Sequence, residues 1–111
     1  KELPCLAEQD LGLCEGEGRD AKEKYPEVLQ RINMQRSHRG KFWSRFPQGE
    51  SIFDVAVRMN GAFTEIASGT RPQLHRDPIR TFIIVSHGVT IRAFLAAWCC
   101  MSPEWVAESS N

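Results

Sequence analysis

Residues 80–85, "RTFIIV", constrain the fold of this 111-residue chain more than any other segment. Every residue after Arg80 is β-branched or aromatic, so an extended strand here would be apolar on both faces. Such a strand has to be covered on both sides, which is typical of a parallel sheet between two layers of helices. The segment therefore predicts an α/β fold of three layers, in which a mostly parallel sheet carries helices on both faces and residues 80–85 form an interior strand.

Helical patterns flank this segment. Ser51 and Asp54 resemble a capping box, and they open a helix predicted over residues 52–67, with Gly69 as a natural stop. Its apolar stripe follows helical spacing and comprises Ile52, Val55, Met59, Ala62, Phe63 and Ile66. Further helices are predicted over residues 20–34, from about 89 to 99, and from Ser102, where Pro103 suits the first helical position.

Only one segment reads as a convincing strand, although a sheet needs several. We therefore expect residues 1–111 to represent part of a single domain that lacks its first strand and its last strands. The chain has 14 basic and 14 acidic residues, a balance that argues against nucleic acid and anionic membranes as partners. No apolar run approaches the roughly 20 residues of a membrane span.

Four cysteines occur in the chain, at positions 5, 14, 99 and 100. The adjacent pair, Cys99 and Cys100, suits neither a disulfide framework nor a CxxC metal site. We interpret the four as reduced thiols, which favours a cytoplasmic location. The sequence predicts no metal and no cofactor, and no pattern in it specifies an oligomeric state.

The junction "SHG" at residues 86–88 joins the predicted strand to the following helix. Ligands of open α/β sheets bind beyond the carboxyl ends of strands, and a helix start offers free N–H groups and partial positive charge. Gly88 allows close approach of a ligand to the backbone. We therefore predict a phosphate site at His87, Gly88 and Val89. The alternative is that His87 only caps the helix.

Three ordered stretches resemble the histidine phosphatase superfamily, the phosphoglycerate mutase-like enzymes. "IIVSHGVTIRAFL" at 83–95 is similar to the family's second-histidine motif. "LAEQDLGLCEG" at 6–16 is similar to the segment that carries its proton donor, and "FWSRFPQGESIFDVAVR" at 42–58 to the loop and helix between them. The resemblance implies a phosphoglycerate mutase-like α/β fold and an enzyme that acts on a small phosphorylated substrate.

The resemblance also implies roles. In this family a histidine attacks phosphorus, arginines and a second histidine stabilise the charge, and a carboxylic acid protonates the leaving group. His87 then corresponds to the second histidine and Glu8 to the acid, with a solvated loop carboxylate as the alternative for Glu8. Arg92 belongs to the motif, but its position inside a helix favours a structural ion pair over phosphate binding.

The nucleophile of the family lies in an Arg-His-Gly motif, which this chain lacks. His38 and His75 occur in other contexts, so we expect the nucleophile to lie outside this chain, upstream of Glu8, and the chain alone to be inactive. Lys41 and Arg45 fall in a basic, aromatic loop that could approach the substrate, although solvated surface charge is the simpler interpretation. Glu50 and Ser51 are expected to order this loop and cap the next helix.

The stretch "FWSRFPQGES" at 42–51 is more similar to the phosphatase branch than to the glycolytic mutases, whose Leu-Asn-Lys and Trp-Arg-Arg stretches are absent here. We therefore expect a phosphomonoester hydrolase of the histidine phosphatase type, which binds a phosphorylated substrate or inorganic phosphate. The alternatives are phosphoglycerate mutase activity and a non-catalytic protein that binds a phosphorylated ligand or a partner.

Overall fold

The computed structural model describes residues 2–17, 20–71 and 77–109, and within these ranges the chain is helical. Two short 3₁₀ helices, Pro4–Leu6 and Gly12–Cys14, precede the α-helices. The α-helices are α1 (Ala21–Lys24), α2 (Pro26–Arg39), α3 (Ile52–Arg58), α4 (Asn60–Thr70), α5 (Gly88–Cys99) and α6 (Pro103–Glu108).

The predicted three-layer α/β fold is wrong for the described residues, because none of them forms a strand. Residues 80–87 have no regular structure, and Ile83 and Val85 are 89% and 86% exposed instead of buried in a sheet. A strand exists only through hydrogen bonds to a neighbouring strand, and its apolar pattern does not supply that neighbour. The apolar pattern at 80–85 therefore indicates that this segment needs to be covered, and the described residues do not cover it.

Helices α3 and α4 confirm the helix predicted over residues 52–67, with Met59 between them. The Ser51 Oγ accepts a hydrogen bond from the Asp54 N–H, and the Asp54 carboxylate accepts one from the Ser51 N–H, so the capping box is present. The predicted stop at Gly69 is wrong, because α4 continues to Thr70. A Cβ at Gly69 would lie 2.8 Å from Phe82 Cζ, so this glycine permits close packing of Phe82.

The main core lies between α3, α4, α5 and α6. Its buried residues are Phe42, Ile52, Val55, Met59, Ala93, Ala96 and Val106. Beside it, the rings of Phe63 and Phe94 have centroids 5.1 Å apart, and Trp98 stacks on Phe94. The start of α6 is as predicted, since Ser102 accepts a hydrogen bond from the Trp105 N–H and Pro103 follows it.

A second, smaller core holds α2 against the loop of residues 40–51. It contains the buried residues Cys14, Ile32 and Phe46. The helix predicted over 20–34 is confirmed in type, but it is interrupted before Pro26 and extends to Arg39. Gly40 then ends α2 with a φ of 82°, a conformation that glycine adopts without the steric cost of a side chain.

The four cysteines are free thiols. Within the described ranges, no helix is both long enough and apolar enough to cross a membrane. Over the same ranges, no group of three or more histidine, cysteine or acidic side chains is placed to hold a metal ion.

Candidate functional site

Glu8 and His87 lie in contact at the start of α5, although they are distant in sequence. Glu8 Oε2 is 3.3 Å from His87 Nδ1, and the two side chains are 48% and 55% exposed. His87 is the N-cap residue of α5, but its side chain makes no capping hydrogen bond, so the interpretation as a helix cap is wrong. The imidazole instead faces a carboxylate, and both groups are accessible from solvent.

The first turn of α5 lies beside this pair. Gly88 and Val89 open the helix, and the N–H groups of a first turn have no partner within the helix. Arg92 lies one turn after Gly88 in α5. A Cβ placed on Gly88 would be 3.7 Å from Arg92 Nη1, so the Arg92 guanidinium lies beside the start of the helix. The ion pair predicted for Arg92 is not observed within residues 2–17, 20–71 and 77–109. Its charge adds to the positive end of α5.

Two hydroxyl groups of α5 and its lead-in connect this helix to the segment that carries Glu8. Ser86 Oγ donates to the Leu6 carbonyl at 2.6 Å, and Thr90 Oγ1 donates to the Ala7 carbonyl at 2.8 Å. Thr90 is completely buried. These two bonds bring the backbone just before Glu8 to the helix start, and thereby bring Glu8 to His87.

Residues 10–13 run alongside residues 47–50, which fixes the same segment from its other side. The Glu50 N–H donates to the Asp10 carbonyl at 2.8 Å, and the Leu13 N–H donates to the Pro47 carbonyl. A Cβ on Gly12 would be 2.1 Å from the Pro47 oxygen, so only glycine allows this approach, and its φ of 56° is also in the left-handed region. The motifs at 6–16 and 42–58 thus form one structural unit.

Arg58 and Glu50 form an ion pair that sequence reasoning did not single out. Arg58 Nε donates to Glu50 Oε1 at 2.9 Å, and Nη2 donates to Glu50 Oε2 at 3.2 Å. The same guanidinium donates to the carbonyls of Cys5, Ala7 and Glu8, the last two at 2.8 and 2.9 Å. The prediction that Glu50 orders its loop is confirmed, because its carboxylate also accepts from the Asp10 N–H.

Two loop cations were proposed as substrate contacts, Lys41 and Arg45. Arg45 binds Asp54, with Nε donating to Oδ2 at 2.9 Å. Burial alone would raise the pKa of Asp54, but hydrogen bonds from Ser51 and the nearby Arg45 charge lower it overall. For Lys41, burial and the charges of Arg36 and Arg92 lower the pKa.

Arg36 completes a basic cluster with Lys41 and Arg92. Its guanidinium carbon lies 5.2 Å from the centre of the Phe46 ring, and burial lowers the pKa of Arg36. The Arg36 Nε is buried without a hydrogen-bond partner among the described residues. The charges of Arg36 in α2 and of Arg92 in α5 both act on Lys41 in the loop after α2, and positive charge from these three elements attracts an anion.

The other described histidine, His38, does not join the Glu8–His87 pair. His38 lies in α2, where its Nδ1 is 2.9 Å from the Met34 carbonyl oxygen and 3.1 Å from Ser37 Oγ. His75 lies outside the described residues.

Comparison with known proteins gives consistent matches. The model of the histidine phosphatase superfamily (branch 1) matches residues 1–108. The phosphoglycerate mutase-like protein AT74 of Arabidopsis thaliana is 39% identical over 75 residues, which cover 65% of this chain and 24% of that protein. The related protein AT74H of the same plant is 32% identical over 96 residues, or 84% of this chain and 31% of the relative.

A yeast protein matches over a similar length. The broad-range acid phosphatase DET1 of Saccharomyces cerevisiae (strain ATCC 204508 / S288c) is 30% identical over 100 residues, covering 88% of this chain and 27% of that protein. The chain thus spans about a quarter to a third of the length of these three relatives.

Proposed function

Because this chain belongs to the histidine phosphatase superfamily, we propose that its Glu8–His87 pair serves a phosphomonoester hydrolase that acts through a phosphohistidine. The observation that carries the proposal is the 3.3 Å contact between the two side chains at the start of α5. The yeast relative is named an acid phosphatase, which supports hydrolysis as the reaction. Since the chain spans only part of its relatives, the activity is proposed for the protein that contains all residues of the site.

His87 and the start of α5 would bind the phosphoryl group. An imidazole N–H and the free N–H groups of Gly88 and Val89 provide donors to the equatorial oxygens, where negative charge accumulates in the transition state. The basic cluster of Arg36, Lys41 and Arg92 attracts the anionic substrate towards this helix end.

Glu8 would act as the general acid and base. Its carboxyl group protonates the leaving oxygen while the phosphohistidine forms, and then removes a proton from the water that hydrolyses the intermediate. Its half-exposed position lets it reach a substrate that is bound at His87. In the free protein the carboxylate contacts His87, and a bound phosphoryl group would take its place as the partner of the imidazole.

The attacking histidine is a separate residue in this proposal. His87 holds the stabilising position, and His38 is engaged with a helix carbonyl in α2. No Arg-His-Gly sequence occurs in the 111 residues. We therefore assign the nucleophile to a residue outside this chain.

The test uses the protein translated from the whole reading frame that encodes this chain. Its turnover of phosphomonoesters is measured for the parent, for His87→Ala and for the control His38→Ala. We expect His87→Ala to lower kcat by about 10² to 10³, as for the loss of one oxyanion donor, and His38→Ala to leave it unchanged. Unchanged turnover in His87→Ala would remove His87 from the mechanism.

Mutase activity is the alternative that the names of the two plant relatives favour. Both reactions pass through a phosphohistidine, so the products distinguish them. With phosphoglycerate as substrate, release of inorganic phosphate supports the hydrolase, whereas transfer of phosphate to the other hydroxyl group of the glycerate supports the mutase.

A further inference from the structure

The guanidinium of Arg58 holds the backbone that carries Glu8. It is 21% exposed, and it donates hydrogen bonds to the carbonyls of Cys5, Ala7 and Glu8 as well as to the Glu50 carboxylate. A guanidinium has five N–H donors in a rigid plane, so it can fix several acceptors in one arrangement. Glu50 supplies the compensating charge, which a cation with this little exposure requires.

We propose that Arg58, held by Glu50, is a positioning residue that sets the orientation of the Glu8 carboxyl group towards His87. The inference rests on the proposed role of Glu8 as general acid and adds the device that aims it. Arg58 itself touches neither substrate nor reacting atoms in this scheme. We refer to Arg58 and Glu50 together as the clamp.

The peptide unit that joins Glu8 to Gln9 connects Arg58 to the Glu8 carboxyl group. Its carbonyl accepts a hydrogen bond from Arg58 Nη2 at 2.9 Å, and its N–H donates to Glu8 Oε1 at 3.1 Å. A trans peptide unit is planar, with its C=O and N–H pointing in opposite directions. By fixing the carbonyl, Arg58 therefore also fixes the N–H, and the N–H in turn holds one oxygen of the Glu8 carboxyl group.

The clamp also holds the next side chain. Gln9 is buried, and its Nε2 donates to the Glu50 carbonyl at 2.9 Å. The peptide unit after Glu8 is thus tied to α3 through Arg58 and, through Gln9, to Glu50, which lies two residues before that helix. Rotation of this unit would break both attachments together.

The position of the acidic proton follows from the same geometry. Glu8 Oε1 accepts the Gln9 N–H, so it is the oxygen that stays unprotonated when the carboxyl group carries a proton. The proton is then carried by Oε2, the oxygen that faces His87 at 3.3 Å. The clamp therefore presents the acidic proton on the side where the leaving oxygen of a substrate bound at His87 would lie.

Loss of Arg58 is expected to act locally on Glu8. Ser86 and Thr90 still hold the carbonyls of Leu6 and Ala7, so the segment remains attached to α5. The Glu8 carbonyl loses its hydrogen bond from Arg58, and of the two attachments only the Gln9 side chain still restrains the peptide unit after Glu8. A displacement of the acid by about 1 Å is sufficient to lower the rate of the step that needs it by about 10²-fold.

The experiment measures kcat/KM of Arg58→Met and Arg58→Lys in the protein translated from the whole reading frame. The substrates are an alkyl phosphate, whose leaving group must be protonated, and p-nitrophenyl phosphate, whose leaving group departs with little protonation. We expect Arg58→Met to lower kcat/KM for the alkyl ester by about 10 to 100 times more than for the aryl ester. The effect of Arg58→Lys should lie between those of the parent and Arg58→Met, because one ammonium group cannot reproduce the planar guanidinium.

The control is Lys24→Met, which removes the exposed ion pair with Glu17 and contacts no residue of the site. It should leave both rates unchanged. Near-UV circular dichroism checks folding, and if Arg58→Met does not fold, Glu50→Gln and Arg58→Lys give the same comparison. Equal losses for the two esters, or no loss, in the folded clamp variants would overturn the positioning role.

Glu8→Gln distinguishes a failure of the acid role proposed for Glu8 from a failure of the positioning role proposed for Arg58. If it shows no difference between the esters, the proposed acid role of Glu8 fails, and the clamp has nothing to position. If it shows the difference but the clamp variants do not, only the inference about Arg58 fails. When both hold, adding Arg58→Met to Glu8→Gln should cause no further selective loss, because the clamp acts through Glu8.

Discussion

Replacement of Asp54 by asparagine tests the local electrostatics that build the start of α3. The Asp54 carboxylate accepts hydrogen bonds from the Ser51 N–H at 2.7 Å and the Ser51 hydroxyl at 2.6 Å, and it forms an ion pair with Arg45. Asparagine keeps the size of the side chain but removes its charge. The substitution therefore weakens the capping box and removes the ion pair without leaving a cavity.

The magnitude follows from these contacts. Loss of a helix cap costs about 0.5–2 kcal/mol. The ion pair adds about 0.2–1 kcal/mol at most, because the Arg45 side chain is 61% exposed and its charge is screened by solvent. Since asparagine keeps part of the hydrogen bonding, we expect Asp54→Asn to lower the free energy of unfolding by about 1–2 kcal/mol at pH 7.

The difference should depend on pH with a defined sign. The folded-state pKa of Asp54 is lowered from its ordinary value of 3.8, so the folded protein favours the ionised carboxylate. The resulting stabilisation is fully present above the pKa of the unfolded chain and is lost as the pH falls through the lower folded-state pKa. The difference in stability between the parent and Asp54→Asn should therefore begin to shrink as the pH falls below about 4, and it should disappear only below the folded-state pKa.

The assay is urea denaturation followed by circular dichroism between pH 3 and pH 7, with Asp77→Asn as the control. Asp77 is exposed, so its replacement changes the net charge equally without removing a cap. We expect a lower urea midpoint with an unchanged slope for Asp54→Asn at pH 7. An Asp54→Asn difference that stays constant down to pH 3, or that Asp77→Asn reproduces, would refute the reasoning.

Two further predictions concern packing and charge. Gly69→Ala should not stabilise α4, although alanine gains about 1 kcal/mol in helix propensity, because its Cβ would lie 2.8 Å from Phe82 Cζ and 3.1 Å from Ile79 Cδ1. In a Phe82→Ala background the closest of these contacts is gone, so the same change should be more favourable by about 1 kcal/mol than in the parent, as measured by urea denaturation. Lys41→Gln should raise KM for phosphomonoesters by about 3- to 10-fold at low salt and by less at high salt, because salt screens the attraction between charges. The control Lys24→Gln should not change KM. Equal KM values for the parent and Lys41→Gln at low salt would exclude the basic cluster from substrate attraction.

The helix starts could be predicted because their signals are local. Ser51 and Ser102 accept hydrogen bonds from the N–H groups of Asp54 and Trp105, three residues further on, so both partners of each contact lie within one turn of the sequence. The strand predicted over residues 80–85 was wrong for the opposite reason. Their apolar faces indicate burial, but a strand depends on partners that the pattern itself does not specify.

Some residues of the site could likewise be predicted from the sequence and others could not. The motifs that contain Glu8 and His87 could be recognised in the sequence, and the structure places these two side chains in contact. Arg58 was not singled out, because most of its partners are backbone carbonyls of residues 5–8. A carbonyl has no signature in the sequence, so a side chain that binds several of them is found only once the chain is folded.

The most direct test of the central claim, that Glu8 and His87 form one phosphoryl-binding site, is a titration with inorganic phosphate followed by NMR of the histidine ring signals. The titration uses the protein translated from the whole reading frame, with the signals assigned through His87→Ala and His38→Ala. We expect a saturable shift of the His87 signals, no shift at His38, and an altered His87 response in Glu8→Gln. Phosphate binding that leaves the His87 signals unmoved would contradict the central claim.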